Sequence, residues 1–257
     1  MCGRYTIRAL QPIVDMFGLA LPDDFPPRFN VAPTEDVPVV RAGDAGGGGD
    51  GAGGGAGAGE RRLDLLHWGL VPSWAEDLSV GNRMSNARAE TAATRPAFRE
   101  AMRRRRCLVV ADGFYEWKKL APEAGLFADA PAPGGAGKGK SGAVRKQPYL
   151  FCMKGDKPFA FAGLWDTWRR EGKKLESFTI LTTSPNELIA PVHDRMPVIV
   201  APEDYARWLD PKHNATDVQD LLRPYPAEAM EAFAASARVN SPANDDAGCT
   251  EREEAWE

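Results

Sequence analysis

Short runs of alternating apolar and polar positions recur along the chain, and those rich in Val, Ile, Phe and Leu predict strands. They cover Val37–Arg41, Arg62–Trp68, Cys107–Phe114, Tyr149–Met153, Phe159–Leu164, Glu176–Thr182 and Val198–Val200. Helices are predicted over Gln11–Phe17, Pro96–Arg105, Glu187–Pro191, Pro202–Leu209, Thr216–Leu222 and Pro226–Ala235. Pro96, Pro202 and Pro226 each stand where a first-turn proline is tolerated. Strands outnumber long helices and do not alternate with them strictly. The pattern is therefore α+β, with a mixed and strongly twisted sheet, not a doubly wound nucleotide fold.

Two segments interrupt this pattern. Ala42–Gly59 is almost entirely Gly and Ala, and Ala121–Arg145 repeats the theme with Pro and Lys. Neither has side chains to pack, so both read as expanded loops, at 42–59 and 121–145, inside one domain spanning residues 1–246. Neither enters a helix through the GxxxxGK[ST] frame that a phosphate cradle needs. The acidic segment 247–257 carries no motif and is expected to be a loose tail.

At 257 residues and 43% hydrophobic content, the chain can bury a full core. It has neither an apolar run of about 18 residues nor an N-terminal apolar stretch, which predicts no membrane span and no signal peptide. Cys2, Cys107, Cys152 and Cys249 form no CxxC pair, and His67, His193 and His213 have no ligand-like spacing. The expectation is a cytoplasmic monomer with no metal and no cofactor. The net charge of −4 hides an asymmetry. Between Arg83 and Lys119, ten basic residues face four acidic ones, a local surplus of six positive charges. The local field, rather than the net charge, decides where a polyanion docks.

Candidate chemistry begins at Met1-Cys2-Gly3-Arg4. Removal of Met1 would leave one residue carrying a thiol and a free α-amine. Such an aminothiol condenses with an aldehyde to an imine, which the sulfur closes to a thiazolidine. An α-amine near ~7.7–8.0 and a thiol near ~8.5 supply both nucleophiles at neutral pH without large shifts. Elsewhere polar groups sit beside turn chemistry. Asn30 and Pro33 fall in FNVAPT, Trp68 and Trp74 in HWGLVPSW, Glu116 in GFYEW, and His193 between prolines in PVHDRMP. At least one of the two tryptophans is expected on a loop surface, and burial between aromatics is expected to raise the pKa of Glu116.

Together these pieces resemble the SRAP family, the SOS-response-associated peptidases or abasic-site processing proteins. MCGRYT, FNVAPT, HWGLVPSW, MSNARAETAATRPAFR, CLVVADGFYEWKK, PFAFAGLW, FTILTTSPNELIAPVHDRMPVIV and RVNSPANDD run in family order from Met1 to about Asp246. The resemblance implies a single domain built on a twisted, barrel-like mixed sheet with flanking helices. It implies Cys2 as a nucleophile that crosslinks to abasic sites in single-stranded DNA. Asn86 would hold the Cys2 end, Glu116 would move protons, and His193 would assist sugar ring opening. Arg4, Arg88 and Arg195 match positions that grip phosphates, and Asn30, Pro33, Trp74 and Trp117 match a wall for the bases. Two other functions fit the same residues: a cysteine autopeptidase that removes Met1, and a non-catalytic single-strand DNA-binding module.

Overall fold

In the computed structural model, which describes residues 2–19, 25–43, 61–120 and 145–255, strands dominate. In chain order they and the α-helices are β1 (Arg4–Ile7), α1 (Leu10–Phe17), β2 (Arg28–Val31), β3 (Asp36–Ala42) and β4 (Arg61–Trp68). After them come β5 (Asn86–Arg88), α2 (Ala89–Ala92), α3 (Arg99–Arg104), β6 (Arg106–Ala111) and β7 (Gly113–Lys119). The remainder are β8 (Lys146–Met153), β9 (Phe159–Arg170), β10 (Lys173–Thr183), β11 (Met196–Pro197), β12 (Ile199–Val200), α4 (Tyr205–Leu209) and β13 (Met230–Ala234).

β4, β3, β6, β9 and β10 are joined by antiparallel pairing, and β10 then meets β4 in parallel at Ser177–His67 and Phe178–Trp68. That last pairing closes a five-stranded mixed barrel, which leaves no open edge along this circuit. β5 and β11 both attach to the C-terminal end of β10, and β12 attaches to β9. A second sheet, in the order β13-β8-β7-β1-β2, is antiparallel throughout.

The two layers meet through aromatic contacts. Tyr5 of β1 sets its ring edge-on against Trp68 and Phe161 of the barrel, with centroids 5.1 and 5.8 Å apart. Phe114 of β7 stacks on Phe151 at 5.3 Å and meets Phe161 edge-on at 5.9 Å. These rings are fully buried, each worth about 1.5–3 kcal/mol. The barrel also holds a charged cluster. Buried Arg41 donates to Asp64 at 2.6 Å and to Glu176 at 3.1 and 3.3 Å, and its guanidinium lies 4.3 Å from the Trp165 ring centroid.

The α+β class and barrel-like mixed sheet follow the expectation, while several elements depart from it. The continuous strand over Cys107–Phe114 is two strands broken at Asp112. The Asp112 carboxylate accepts from Thr6 Oγ1 at 2.5 Å, Arg8 N at 2.6 Å and Ala9 N at 3.2 Å. Those bonds steer the chain out of the barrel and into the second sheet. The helix over Pro226–Ala235 is a single 3-10 turn at Ala227–Ala229 followed by β13, because the open edge of β8 recruits the segment against its Ala- and Glu-rich propensity. Thr216–Leu222 forms only a 3-10 turn at Gln219–Leu221, and Glu187–Pro191 only turns. In the latter, Asn186 Oδ1 caps the backbone N–H of Ile189 at 3.1 Å. The two Gly-rich loops fall almost wholly at 44–60 and 121–144, outside the described residues. The segment expected to be a loose tail is docked as far as Glu253: Cys249 is buried, Ala235 bridges Arg252, and Glu253 N donates to Ala234 O at 2.9 Å.

Candidate active site

β1 and β7 run side by side, with Arg4 opposite Tyr115 and Tyr5 opposite Phe114. Strand alternation puts Glu116 on the same face of β7 as Phe114, toward the barrel, and Tyr115 and Trp117 on the other. Continuing β1 backward from Arg4 carries Gly3 and Cys2 past Glu116. β5 enters from the barrel side, with Asn86 opposite Ile180. The segment between β10 and β11 brings His193 to the same place.

Four of the expected residues converge here. Asn86 Nδ2 donates to the carbonyl oxygen of Cys2 at 2.7 Å, and Asn86 Oδ1 is buried with no hydrogen bond among the described residues. His193 Nε2 lies 3.8 Å from Glu116 Oε2. On the other side of the imidazole, Nδ1 accepts the backbone N–H of Arg195 at 3.0 Å and stands 3.1 Å from Asp194 Oδ1. With Nδ1 as acceptor, the ring hydrogen of the neutral imidazole belongs on Nε2, facing Glu116.

Burial controls the titration of this group. Glu116 is pushed up to about 7, chiefly by desolvation, with the positive chain terminus pulling the other way. It is therefore near half-protonated at neutral pH and can both give and take a proton. His193 is lowered below its ordinary value, first by burial and then by the charge of the chain terminus, so it is mostly neutral at pH 7. The thiol corrects the sequence reading. Cys2 is fully buried, and desolvation, with Glu116 adding to it, drives its pKa far above the ordinary thiol range. The sulfur is a protonated thiol at neutral pH, not a ready thiolate.

The residues expected to touch DNA divide differently. Arg88 and Trp74 are exposed, Trp74 by 62%, whereas Trp68 is buried. Trp74 also stands apart from the four-residue cluster. The carbonyl of Ala75 accepts from Trp168 Nε1, and Trp168 pairs with Leu175, five residues before Ile180. At about 3.3 Å per residue, that is about 17 Å along β10 from the level of Asn86. Pro33 is half-buried in a turn whose next residue, Thr34, takes the left-handed φ of 77°. Trp117 is half-buried, its Nε1 donating to Asn240 Oδ1 at 2.7 Å.

Asn30 belongs to no wall for bases. It is fully buried, and its Nδ2 donates to the carbonyls of Val239, Ser241 and Asn244. FNVAPT and RVNSPANDD thus interlock, and Asp245 completes the lock by accepting from Phe29 N and Asn30 N. Arg4 is drawn into the same lock, donating to Asn30 Oδ1 at 3.0 Å and Val239 O at 2.8 Å. Arg195 is also engaged, held bidentately by Glu90 at 2.7 and 2.8 Å and donating to Thr182 O at 2.5 Å. Neither Glu90 nor Asn240 stands out in the sequence. The Glu90–Arg195 pairing is non-local, and only the folded chain brings it together.

The profile of the SOS response associated peptidase (SRAP) family matches residues 1–242. The chain belongs to the SRAP family. An abasic site processing protein of Bacillus subtilis, YoqW, is 39% identical over 251 residues, covering 95% of this chain and 96% of its own. The abasic site processing protein HMCES of Pongo abelii is 27% identical, covering 89% of this chain and 66% of its own. In structure, this SRAP chain superposes on a Bacteroides thetaiotaomicron protein at a TM-score of 0.74, with 23% identity over 98% of this chain and all of the other. Among the described residues, no helix is long and apolar enough to cross a membrane.

Proposed function

We propose that this SRAP protein processes abasic sites, capturing them covalently in single-stranded DNA through Cys2 once Met1 has been removed. The observation that carries the reading is the meeting of Cys2, Asn86, Glu116 and His193, where the carboxyl of Glu116 is held near pH 7 by burial. An abasic deoxyribose in its open form presents an aldehyde at C1′. The freed α-amine of Cys2 attacks that carbon, positioned by Asn86, whose Oδ1 is available to accept an amine hydrogen. Glu116 in its protonated form gives a proton to the departing hydroxyl, and water leaves as the imine forms. The Cys2 sulfur then bonds to the imine carbon. Its proton passes by way of Glu116 to the nitrogen, closing a thiazolidine with net loss of one water. A thiol kept protonated by burial suits this order, because the amine must react first. His193, with Nε2–H toward Glu116, is placed to hand protons between the carboxyl and the sugar ring.

Arg88, exposed at the end of β5 beside this cluster, would take a phosphate next to the lesion. Trp74 and Trp117 would offer surfaces for bases, which stack on aromatics for about 1–3 kcal/mol each regardless of sequence. The test is to incubate Met1-processed protein with a single-stranded oligonucleotide bearing one abasic site, then run denaturing electrophoresis and intact mass. A single adduct lighter by one water than the sum of its parts is expected, and none with Cys2→Ala. No adduct with correctly processed protein overturns the reading.

The same cluster lies against the start of the chain and supports a second reading, self-removal of Met1. Mass spectrometry of Cys2→Ser, Glu116→Ala and His193→Ala separates the two. Met1 retained only in the variants means self-processing, while its removal throughout means an external aminopeptidase.

A further inference from the structure

Arg106, at the start of β6, is buried and gives its guanidinium to backbone carbonyls. Its Nε donates to Trp208 O at 2.6 Å, Nη1 to Met102 O and Arg103 O at 2.9 and 3.2 Å, and Nη2 to Asp210 O and His213 O at 2.6 and 2.9 Å. These five bonds staple the C-terminal end of α3 to the turn that follows α4. Between those two walls lies an open cavity of about 330 Å³, lined by Arg103, Arg104, Pro211, Lys212 and Asn214. Three cations and a side-chain amide face it, and no carboxylate is among its lining residues. Glu100 reaches Arg103 at 3.5 Å and Arg104 at 3.7 Å, both contacts between exposed side chains that a competing anion can displace.

Arg106, which ties the two walls of the cavity together, stands one residue from the level of the barrel at which Asn86 sits. Asn86 faces Ile180, Ile180 faces Gly163, and Gly163 faces Cys107, the residue after Arg106. That row crosses three strand spacings of about 4.8 Å, or about 14 Å in all. α2 packs on β10, and α3 packs on β9 and β6. The chain from Arg88 to Arg104 therefore leads across this row, with Arg88, Arg95 and Arg99 exposed along it. The basic surplus read in the sequence becomes a track with a pocket at its far end.

We propose that this pocket is a second phosphate-binding subsite, holding the backbone of the single strand whose lesion sits at Cys2. The inference rests on the proposed DNA reading for the identity of the strand. Its chemistry stands on the pocket alone: guanidinium and ammonium groups on rigid walls, without an aromatic ring, recognise phosphate and not base. Such a site adds affinity without adding sequence preference.

Binding of undamaged single strands of about 4 and about 16 nucleotides, followed by fluorescence anisotropy across a salt series, tests it. The short strand fills only the region near Cys2, while the long one reaches the pocket. In the triple variant R103E/R104E/K212E, affinity for the long strand should fall by about tenfold or more. The slope of log affinity against log salt should lessen by about 0.7 for each phosphate that the variant no longer neutralises. The preference for long over short strands should shrink accordingly. The milder Arg103→Gln, Arg104→Gln, Lys212→Gln version should move the same way, and matched melting curves show that the fold is kept. An unchanged preference for the long strand in both variants overturns the subsite, as does an equal loss on both strands. Because the strands are undamaged, absence of a Cys2 adduct in a separate abasic assay would defeat the capture chemistry and leave this result standing.

Discussion

Two buried clusters of ionisable groups show how one fold treats the same chemistry in opposite ways. In the barrel, Arg41 is clasped by Asp64 and Glu176 over the face of Trp165. Its basicity is raised despite burial, and Glu176 is lowered by Arg41 although burial opposes it. Arg41 and Glu176 are each held in the charged form. Glu116 is buried as well, but it is set against an imidazole and a thiol, and burial raises its pKa to about 7. The Arg41 cluster is a fastening that never needs to change state. The Glu116 cluster is poised to change state near neutral pH, a property that a proton-transfer site requires.

Removing the centre of each cluster should separate the two roles. Arg41→Met removes the common partner of Asp64 and Glu176, which keep Arg62 and Lys174 respectively, so a loss of about 1.5–3 kcal/mol is expected in denaturant unfolding. Adduct formation by the fraction that remains folded should keep its rate. Glu116→Gln should do the reverse. A carboxyl raised from 4.5 to about 7 favours the folded state fully below the unfolded value, and that favour is lost as pH rises through about 7. The variant should therefore melt higher than wild type at pH 8, by up to about 3 kcal/mol, and equally at pH 4. Its adduct rate should fall by about 10²–10⁴-fold and lose the decline above pH 7 that is expected of wild type. If Glu116→Gln is instead destabilising at pH 8, the carboxyl is fastened like Glu176 and the comparison fails.

Asn86→Ala sharpens the same contrast at smaller scale. It removes the bond to the Cys2 carbonyl, worth about 1 kcal/mol of stability, and frees the end of the chain. Adduct formation should slow by more than that stability loss accounts for, because the amine loses its position. Equal losses of stability and rate would make Asn86 merely structural.

Much of this is readable in the residues. The strand runs that build the barrel walls, Val37–Arg41, Arg62–Trp68 and Phe159–Leu164, lie within β3, β4 and β9, because strands buried in a closed barrel keep a simple apolar signal. β1, β2, β5 and β13 escape the sequence pattern because they are short and owe their structure to pairing partners far away in the chain. The direction of the Glu116 shift is legible from GFYEW, but not its cause: the flanking Tyr115 and Trp117 rings lie on the other face of β7, and the burial comes from the barrel side. The burial of Cys2 is not legible, since it depends on β5 and β7 arriving from opposite sides. Asn30 misleads for a related reason: its partners at 239–244 are over 200 residues away. Within a motif that resembles a binding surface, Phe29 and Asn30 form one half of an internal clasp.

The smallest effect concerns Arg195, which borrows features of both clusters. Its guanidinium is clasped by a carboxylate as Arg41 is, yet Glu90 is 53% exposed. Glu90 is held below its ordinary pKa by Arg195, so its carboxylate stays ionised at neutral pH. With one partner open to solvent, such a pair contributes about 1 kcal/mol or less to folding. Glu90→Gln should therefore shift the melting midpoint only slightly while leaving Arg195 short of a counter-charge. A phosphate can take that place, so binding of undamaged single-stranded DNA at low salt should tighten by a few fold, an advantage that fades as salt rises. Weaker binding by the variant would mean that Glu90 orients Arg195 for the strand instead of competing with it. In that case Arg195 belongs with Arg41 as a fastening, since its backbone N–H fixes His193 whatever its side chain does.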